Sequence, residues 1–472
     1  MDRQGRIVGW VAFLSLLAGC TTPSAVLPTP IARSSQPAGM AAEIQQVSYC
    51  PDARSPARLG PPTTSQQAGS ATALSGQPEL TVKALVQQVL ERNPSLGQMA
   101  ATWEAASARY PQVTSLEDPL LAASLAPASF GSGSVEPGYM VGVSQKFPFP
   151  GKLGLKGQNA LAEASAAGHD VEDVRLQLVE AARTAFYDYY QASRALEVSA
   201  ESLRLWQQAK EDAKSRYEGG KGDQQDLLQV DVEIAREQER RLTLEESIRI
   251  TMARLNTLMH LPPDNPLPPA PARLSAAEPL PGATPLRELA LANRPDLQAL
   301  ADRIHAEQSA LGLAHKEYYP DVEVSAAYDT IMGNGPMRDL APQVGVHVNI
   351  PLRLDRREAM VREAQAKIAQ RQAELARQTD QVKFQVQEAY EKVQKSDKGV
   401  QLYQDKLLPA AELNAKAART AYVAGRISAQ SRIEAERSLV TLRERYYEAI
   451  AESFRRRATL ERVVGGPATQ PQ

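Results

Sequence analysis

The chain has 472 residues, and 53 Lys+Arg against 55 Asp+Glu leave a net charge of −2, a balance that excludes a general nucleic-acid binder. Only 5% of residues are aromatic, and the long stretches dominated by Ala, Gln, Glu, Arg and Leu favour long helices. Two cysteines, Cys20 and Cys50, exclude a disulfide-rich scaffold and a thiolate metal cluster.

At the start of the chain, Arg3 and Arg6 precede an apolar run over 7–17. As a helix that run is about 16 Å long against a bilayer core of about 30 Å. It is too short to span, so residues 1–19 are expected to be an export signal. Leu17, Ala18, Gly19 and Cys20 resemble a bacterial lipoprotein box, which implies lipidation of Cys20. Thr21 beside it, in place of Asp, implies sorting to the outer membrane. Residues 20–77 are rich in Pro, Ser, Thr, Ala, Gln and Gly and cannot offset the entropy of ordering, so they are expected to be a disordered tether, with Cys50 a free surface thiol.

The C-terminal half repeats the N-terminal half. Tyr217 and Gly220 fall on Tyr422 and Gly425 at an offset of 205, which also carries Asp226 to Ser431, Gln229 to Glu434 and His260 to Gly465. Upstream, Pro148 falls on Pro351 at 203, Tyr110-Pro111 on Tyr319-Pro320 at 209, and Asn93-Pro94 on Arg294-Pro295 at 201. The expected copies are 78–261 and 286–465, joined by a connector over 262–285 with nine prolines; 466–472 is expected to be a disordered tail.

Each copy reads as a helix, two short strands, then a long helical hairpin, expected over 152–260 and 355–464. Residues 152–217 contain no proline and would form a helix of about 100 Å, longer than a compact domain needs. Apolar and small residues at 171, 174, 178, 181, 185, 189, 192, 196, 199, 203 and 206 predict one heptad seam with a stutter at 185–189. Pro409 predicts a kink or break in the second long helix.

Strands are expected at about 118–127, 139–148, 321–330 and 342–351. In the last, Val344, Val346, Val348 and Ile350 alternate with Gln343, Gly345, His347 and Asn349. Short strands that alternate apolar and polar match the pattern of a membrane β-barrel. Four cannot close one, because open edges would leave unpaired backbone groups in lipid. Several chains must then share a barrel.

An acylated, exported chain with this duplicated layout resembles the TolC family of outer-membrane efflux channels over residues 78–465. The resemblance implies a mainly helical fold with a small membrane β part: a trimeric 12-stranded β-barrel continued by a 12-helix periplasmic α-barrel. It implies a homotrimer that contacts outer-membrane lipid and works with a periplasmic adaptor and an inner-membrane RND pump, with no enzyme activity, cofactor or nucleic-acid partner. In the family's closed state the tunnel narrows at the hairpin tips. By position, Tyr422 and Asp226 match the lock and Glu434 matches an acidic ring. The other ring position is Ser431 instead of Asp, and the expected basic partner is Ile427, with Arg426 displaced by one residue. Tyr217, Gly220 and Gly425 fall at the tips expected to dock the adaptor.

Segment 146–154, KFPFPGKLG, resembles the heavy-metal branch of these channels, which implies heavy-metal cations as cargo. Alternatives are a multidrug, small-molecule or secretion channel of the same fold, a periplasmic adaptor, or a non-conducting coiled-coil envelope protein. His169, His260, His305, His315 and His347 show no paired helical spacing, so no metal site is expected.

Overall fold

The computed structural model describes residues 78–127, 138–275, 279–329 and 342–468, all within the unit Ser65–Gln472. Cys20, Cys50, the export signal and the tether lie outside the described residues.

Two short helices open each repeat. In the first, α1 (Val82–Arg92) is capped by the Thr81 hydroxyl and α2 (Pro94–Ser107) by the Asn93 side chain, with Pro94 in the first turn where no amide donor is needed. A short α3 (Arg109–Thr114) leads to strands β1 (Leu120–Ala126) and β2 (Gly138–Phe147). The hairpin follows as α4 (Lys152–Glu218), 67 residues without a break, and α5 (Gln224–Leu258). The second repeat runs α6 (Ala283–Asn293), α7 (Pro295–Lys316), β3 (Val322–Asp329), β4 (Pro342–Val348), then α8 (Leu354–Leu402), α9 (Leu408–Val423) and α10 (Ala429–Val464). A π-helical segment, Tyr403–Leu407, separates α8 from α9 and places Pro409 in the first turn of a new helix. There its missing N–H costs little.

The duplication extends into the packing. Leu85, Val89, Leu178, Ala182, Leu255 and Met259 share one buried cluster. Leu286, Ala290, Val382, Val386, Leu460 and Val464 share another, displaced by 201, 204 or 205 residues. Each cluster knots a short helix onto the roots of its hairpin, leaving the hairpin arms to be held by narrower contacts.

Helix α4 does not bury the single seam that its heptads predict. Leu178, Ala185, Tyr189, Ala192, Ser199 and Trp206 of that seam are buried, but so are Ala182, Phe186, Tyr190, Val198, Ser202, Ala209 and Ala213. The physical reason is a neighbour on each side. Helix α5 contributes Glu237, which accepts from the Ser199 and Ser202 hydroxyls at 2.5 and 2.9 Å, and Asp231, paired with Lys210 at 2.8 Å. Helix α10 contributes Arg432 to Asp212 and Arg443 to Glu201, at 2.8 and 2.7 Å. On its far flank α10 meets α8 and α9, where Arg457 reaches Asp397 at 2.6 Å and Arg419 reaches Glu436 at 2.9 Å. Across the hairpins the order is therefore α5, α4, α10, then α8 with α9.

The strands form one antiparallel sheet in the order β1-β2-β3-β4. Its register aligns Leu121 with Val143, Val143 with Ala326 and Ala326 with Val344. One face therefore carries Leu121, Leu125, Val141, Val143, Val324, Val344 and Val346, all exposed. The opposite face carries a row of Lys146, Glu323 and His347.

Segment 146–154 forms the corner from sheet to helix. Phe149 stacks on Tyr319 at 4.5 Å, and Asp321 accepts from the Phe149 amide at 2.8 Å and pairs with the buried Lys152 ammonium at 2.9 Å. Burial pushes the Asp321 carboxyl up, but the bonds from Lys152 and Phe149 outweigh it and hold the pKa below its ordinary value. This corner ties the start of the first hairpin to the start of β3.

Candidate functional site: the hairpin tips

Both tips turn by the same local chemistry. Helix α4 ends with Gly220 at φ 68° and α9 with Gly425 at φ 72°, a left-handed conformation that glycine adopts without steric cost. In each turn one backbone bond spans five residues, from the Lys221 N–H to Arg216 O and from the Arg426 N–H to Ala421 O, both at 2.8 Å. The return helix α10 is capped by Ser428, whose hydroxyl accepts from the Ser431 N–H at 3.2 Å.

Similar turns present different side chains. Tyr217 is 47% exposed, whereas its counterpart Tyr422 is 2% exposed. Tyr422 donates its hydroxyl to the Asp226 carboxylate at 3.3 Å. The Arg216 guanidinium lies 4.6 Å from the Tyr422 ring centre and donates to Tyr422 O and Lys221 O, and Arg432 lies 5.1 Å from the same ring centre. Burial, and then the Asp226 charge, hold the Tyr422 phenol above its ordinary pKa against the opposing pull of the guanidinium groups.

The structure thus brings Tyr422 and Asp226 together, and adds Arg216, Arg432 and Asp212, which sequence reasoning missed. The only local signal for Arg216 was a basic residue in the last turn of a helix. Ser431 is drawn toward Ser428, and Glu434 is exposed with an oxygen accepting from Gln430 at 2.8 Å. Arg426 is also exposed. Glu434 and Ser431, with Ile427, Asn414, Ala418 and Ala421, line an open groove of about 480 Å³ between α9 and α10.

Below the tips, buried carboxylates are matched by arginines. Glu233 takes two bonds from Arg437 and one from Arg236, and the Arg437 bonds, working against burial, hold it below its ordinary pKa. Trp206, Val230 and Ile433 pack in a small apolar knot between the hairpins. Among the described residues, no group of three or more His, Cys, Asp or Glu is placed to hold a metal ion, and no helix is long and apolar enough to cross a membrane.

A duplicated chain that joins a sheet with an exposed apolar face to paired helical rods has the build of an envelope channel subunit. The chain belongs to the outer membrane efflux protein family, whose model matches residues 85–259 and 286–466. It is accordingly an outer-membrane efflux channel, and the family is one of channels, not enzymes. The fold is shared with solved channels: the outer-membrane channel OprN (19% identity, TM-score 0.70, covering 84% of this chain and 96% of that one) and CusC, in a study of transmembrane channel formation (18%, 0.71, 82% and 92%). The open MtrE outer membrane channel of Neisseria gonorrhoeae shares it too (18%, 0.69, 82% and 89%). No curated protein matches the chain.

Proposed function

We propose that three copies of this chain form a lipid-anchored exit duct that receives heavy-metal cations from an RND-type pump through a periplasmic adaptor. One observation carries the assembly: the chain ends laterally in open edges at both levels. In the sheet, β1 and β4 each have one neighbour among the described residues, and the bare apolar face suits lipid. At the level of the helices, α5 exposes Leu228, Val232, Leu242 and Ile250, and the opposite flank exposes Phe384, Leu402, Leu413 and Val423. Pairing β1 with β4 and α5 with α8 and α9 of the next copy closes a ring by a head-to-tail contact and leaves no edge in lipid.

The tips then surround the inner mouth of the duct. Tyr422 and Asp226 link the two hairpins of one copy, and three Glu434 carboxylates around a narrow axis attract cations. Gly220 and Gly425 set the turns that meet the adaptor, with Tyr217 exposed beside them. Support for metal cargo comes from the likeness of segment 146–154 to the heavy-metal branch, and support for the anchor from Cys20 in its lipoprotein-like setting.

The full chain, extracted in detergent, is expected to run as a heat-modifiable trimer and to conduct ions in a planar bilayer. A non-conducting monomer without sheet signal refutes the duct. Deleting the gene is expected to sensitise cells to copper, silver, zinc or cobalt; sensitisation to dyes alone transfers the cargo to small organic molecules.

A further inference from the structure

The lock expected from the sequence lacks a cation at its usual place, since Ile427 stands where a basic residue was expected and Arg426 is exposed. The structure supplies cations from elsewhere. Arg216, on the last turn of α4, donates to Tyr422 O on the second tip and to Lys221 O on the first. Its guanidinium covers the Tyr422 ring at 4.6 Å, inside the range of cation–π attraction. Arg432, on α10, is 3% exposed, lies 5.1 Å from the same ring centre and pairs with Asp212 of α4 at 2.8 Å.

We propose that Arg216 and Arg432 are the cationic members of the resting gate, clamping the Tyr422 ring and fastening the second hairpin to the first. The proposal rests on the duct reading above and names the residues that hold its mouth shut. Three links cross between the hairpins here: Arg216 to Tyr422, Tyr422 to Asp226, and Arg432 to Asp212. Tyr422 takes part in two of them and touches the cation of the third. Parting the tips therefore removes all three together.

The same site holds a counterweight. Arg216 Nε and Arg432 Nε and Nη1 are buried and find no acceptor among the described residues. A buried donor without a partner is costly, and parting the tips returns these donors to water. The clamp is thereby kept from becoming irreversible, as a gate requires.

Single-channel recording on the full-length trimer tests the clamp. Arg216→Ala and Arg432→Ala are each expected to raise the open-to-closed ratio about tenfold, the equivalent of ~1.4 kcal/mol. Arg426→Ala is expected to leave it unchanged. Tyr422→Phe keeps the ring and is expected to open the channel less than Tyr422→Leu. Adding Arg216→Ala to Tyr422→Leu is expected to open it further, but by less than Arg216→Ala opens wild type, because only the bond to the main-chain carbonyl at 422 is left to lose. A wild-type ratio in Arg216→Ala overturns the proposal, as does an equal opening in Arg426→Ala.

Hydrogen exchange gives a readout independent of conduction. Arg216→Ala is expected to accelerate exchange at both tips, over 217–223 and 422–428, with the roots at 178–190 unchanged; unchanged tips overturn the clamp. Arg216→Lys, which keeps the charge without the fork that spans two carbonyls, is expected to fall between wild type and Ala and serves if the Ala variant does not fold. A wild-type protein that never conducts refutes the duct, while the exchange result still decides the clamp.

Discussion

Two positions related by the internal repeat, His260 and Gly465, both adopt left-handed backbone, at φ 55° and 88°. The first repeat carries a full side chain in that conformation, so the backbone alone does not demand glycine. The surroundings of Gly465 do. A Cβ placed there would lie 3.0 Å from the Asn293 carbonyl carbon and 3.1 Å from both Arg294 N and Asn293 O, backbone atoms at the junction of α6 and α7. Left-handed geometry costs an L-residue roughly 1–2 kcal/mol, and overpacking against a fixed backbone adds about 1–3 kcal/mol. Gly465→Ala is therefore expected to lose about 2–5 kcal/mol of stability.

Gly220→Ala is the control, because a Cβ there meets nothing within 4 Å and only the backbone contribution of about 1–2 kcal/mol remains. Denaturant unfolding of the detergent-solubilised protein, followed by circular dichroism, measures both. Equal losses in the two variants would show that the close approach of Asn293 and Arg294 has no energetic weight and would refute the reasoning.

Three further outcomes are expected. Burial pushes the Asp296 carboxyl up, but the hydrogen bonds and charge of Arg294, with bonds from Gln378 and the Leu297 amide, hold it below its ordinary value. A depressed folded pKa stabilises above the unfolded value near 3.9 and loses that effect as pH falls through the folded value, so Asp296→Asn should flatten the acid limb of a stability-versus-pH curve; an unchanged limb counts against the assignment. Glu434→Gln should reduce cation selectivity in planar bilayers, and unchanged reversal potentials would remove Glu434 from the mouth. Replacing Gly220 and Gly425 together with Val should abolish efflux while trimers still form, and retained metal resistance would sink the docking role of the tips.

Much of the architecture was legible in the sequence because it is written in local and repetitive signals. The proline-free run over 152–217 emerges as the uninterrupted α4, and the Tyr217 and Tyr422 turns each carry glycine where the backbone becomes left-handed. The double burial of α4 was not legible, since a heptad count finds one seam while α5 and α10 press on different flanks. Nor were the partners of Tyr422. Arg216 and Asp212 of α4 meet Arg432 of α10, and the offset of 205 pairs Arg216 with Ala421 and Asp212 with Ala417, so the repeat itself hides them. The exposure of Tyr217 beside the burial of Tyr422 has the same origin: Arg216 of the first hairpin and Arg432 of the second both lie over the Tyr422 ring.

The π-helical segment Tyr403–Leu407 has a consequence for the second tip. Such a segment holds one residue more than an α-helical path over the same rise, and it absorbs that residue by turning less per residue than the roughly 100° of an α-helix. Deleting a single residue there would let α8 run straight into α9 with nearly the same total turn, and would keep Tyr422 aimed at Asp226 and Arg216. The azimuth of the second tip is thus buffered some fifteen positions away: a one-codon deletion within 403–407 would leave the tip aimed, whereas a one-codon deletion between 410 and 420 would turn it by about 100° while leaving the tip's own side chains intact.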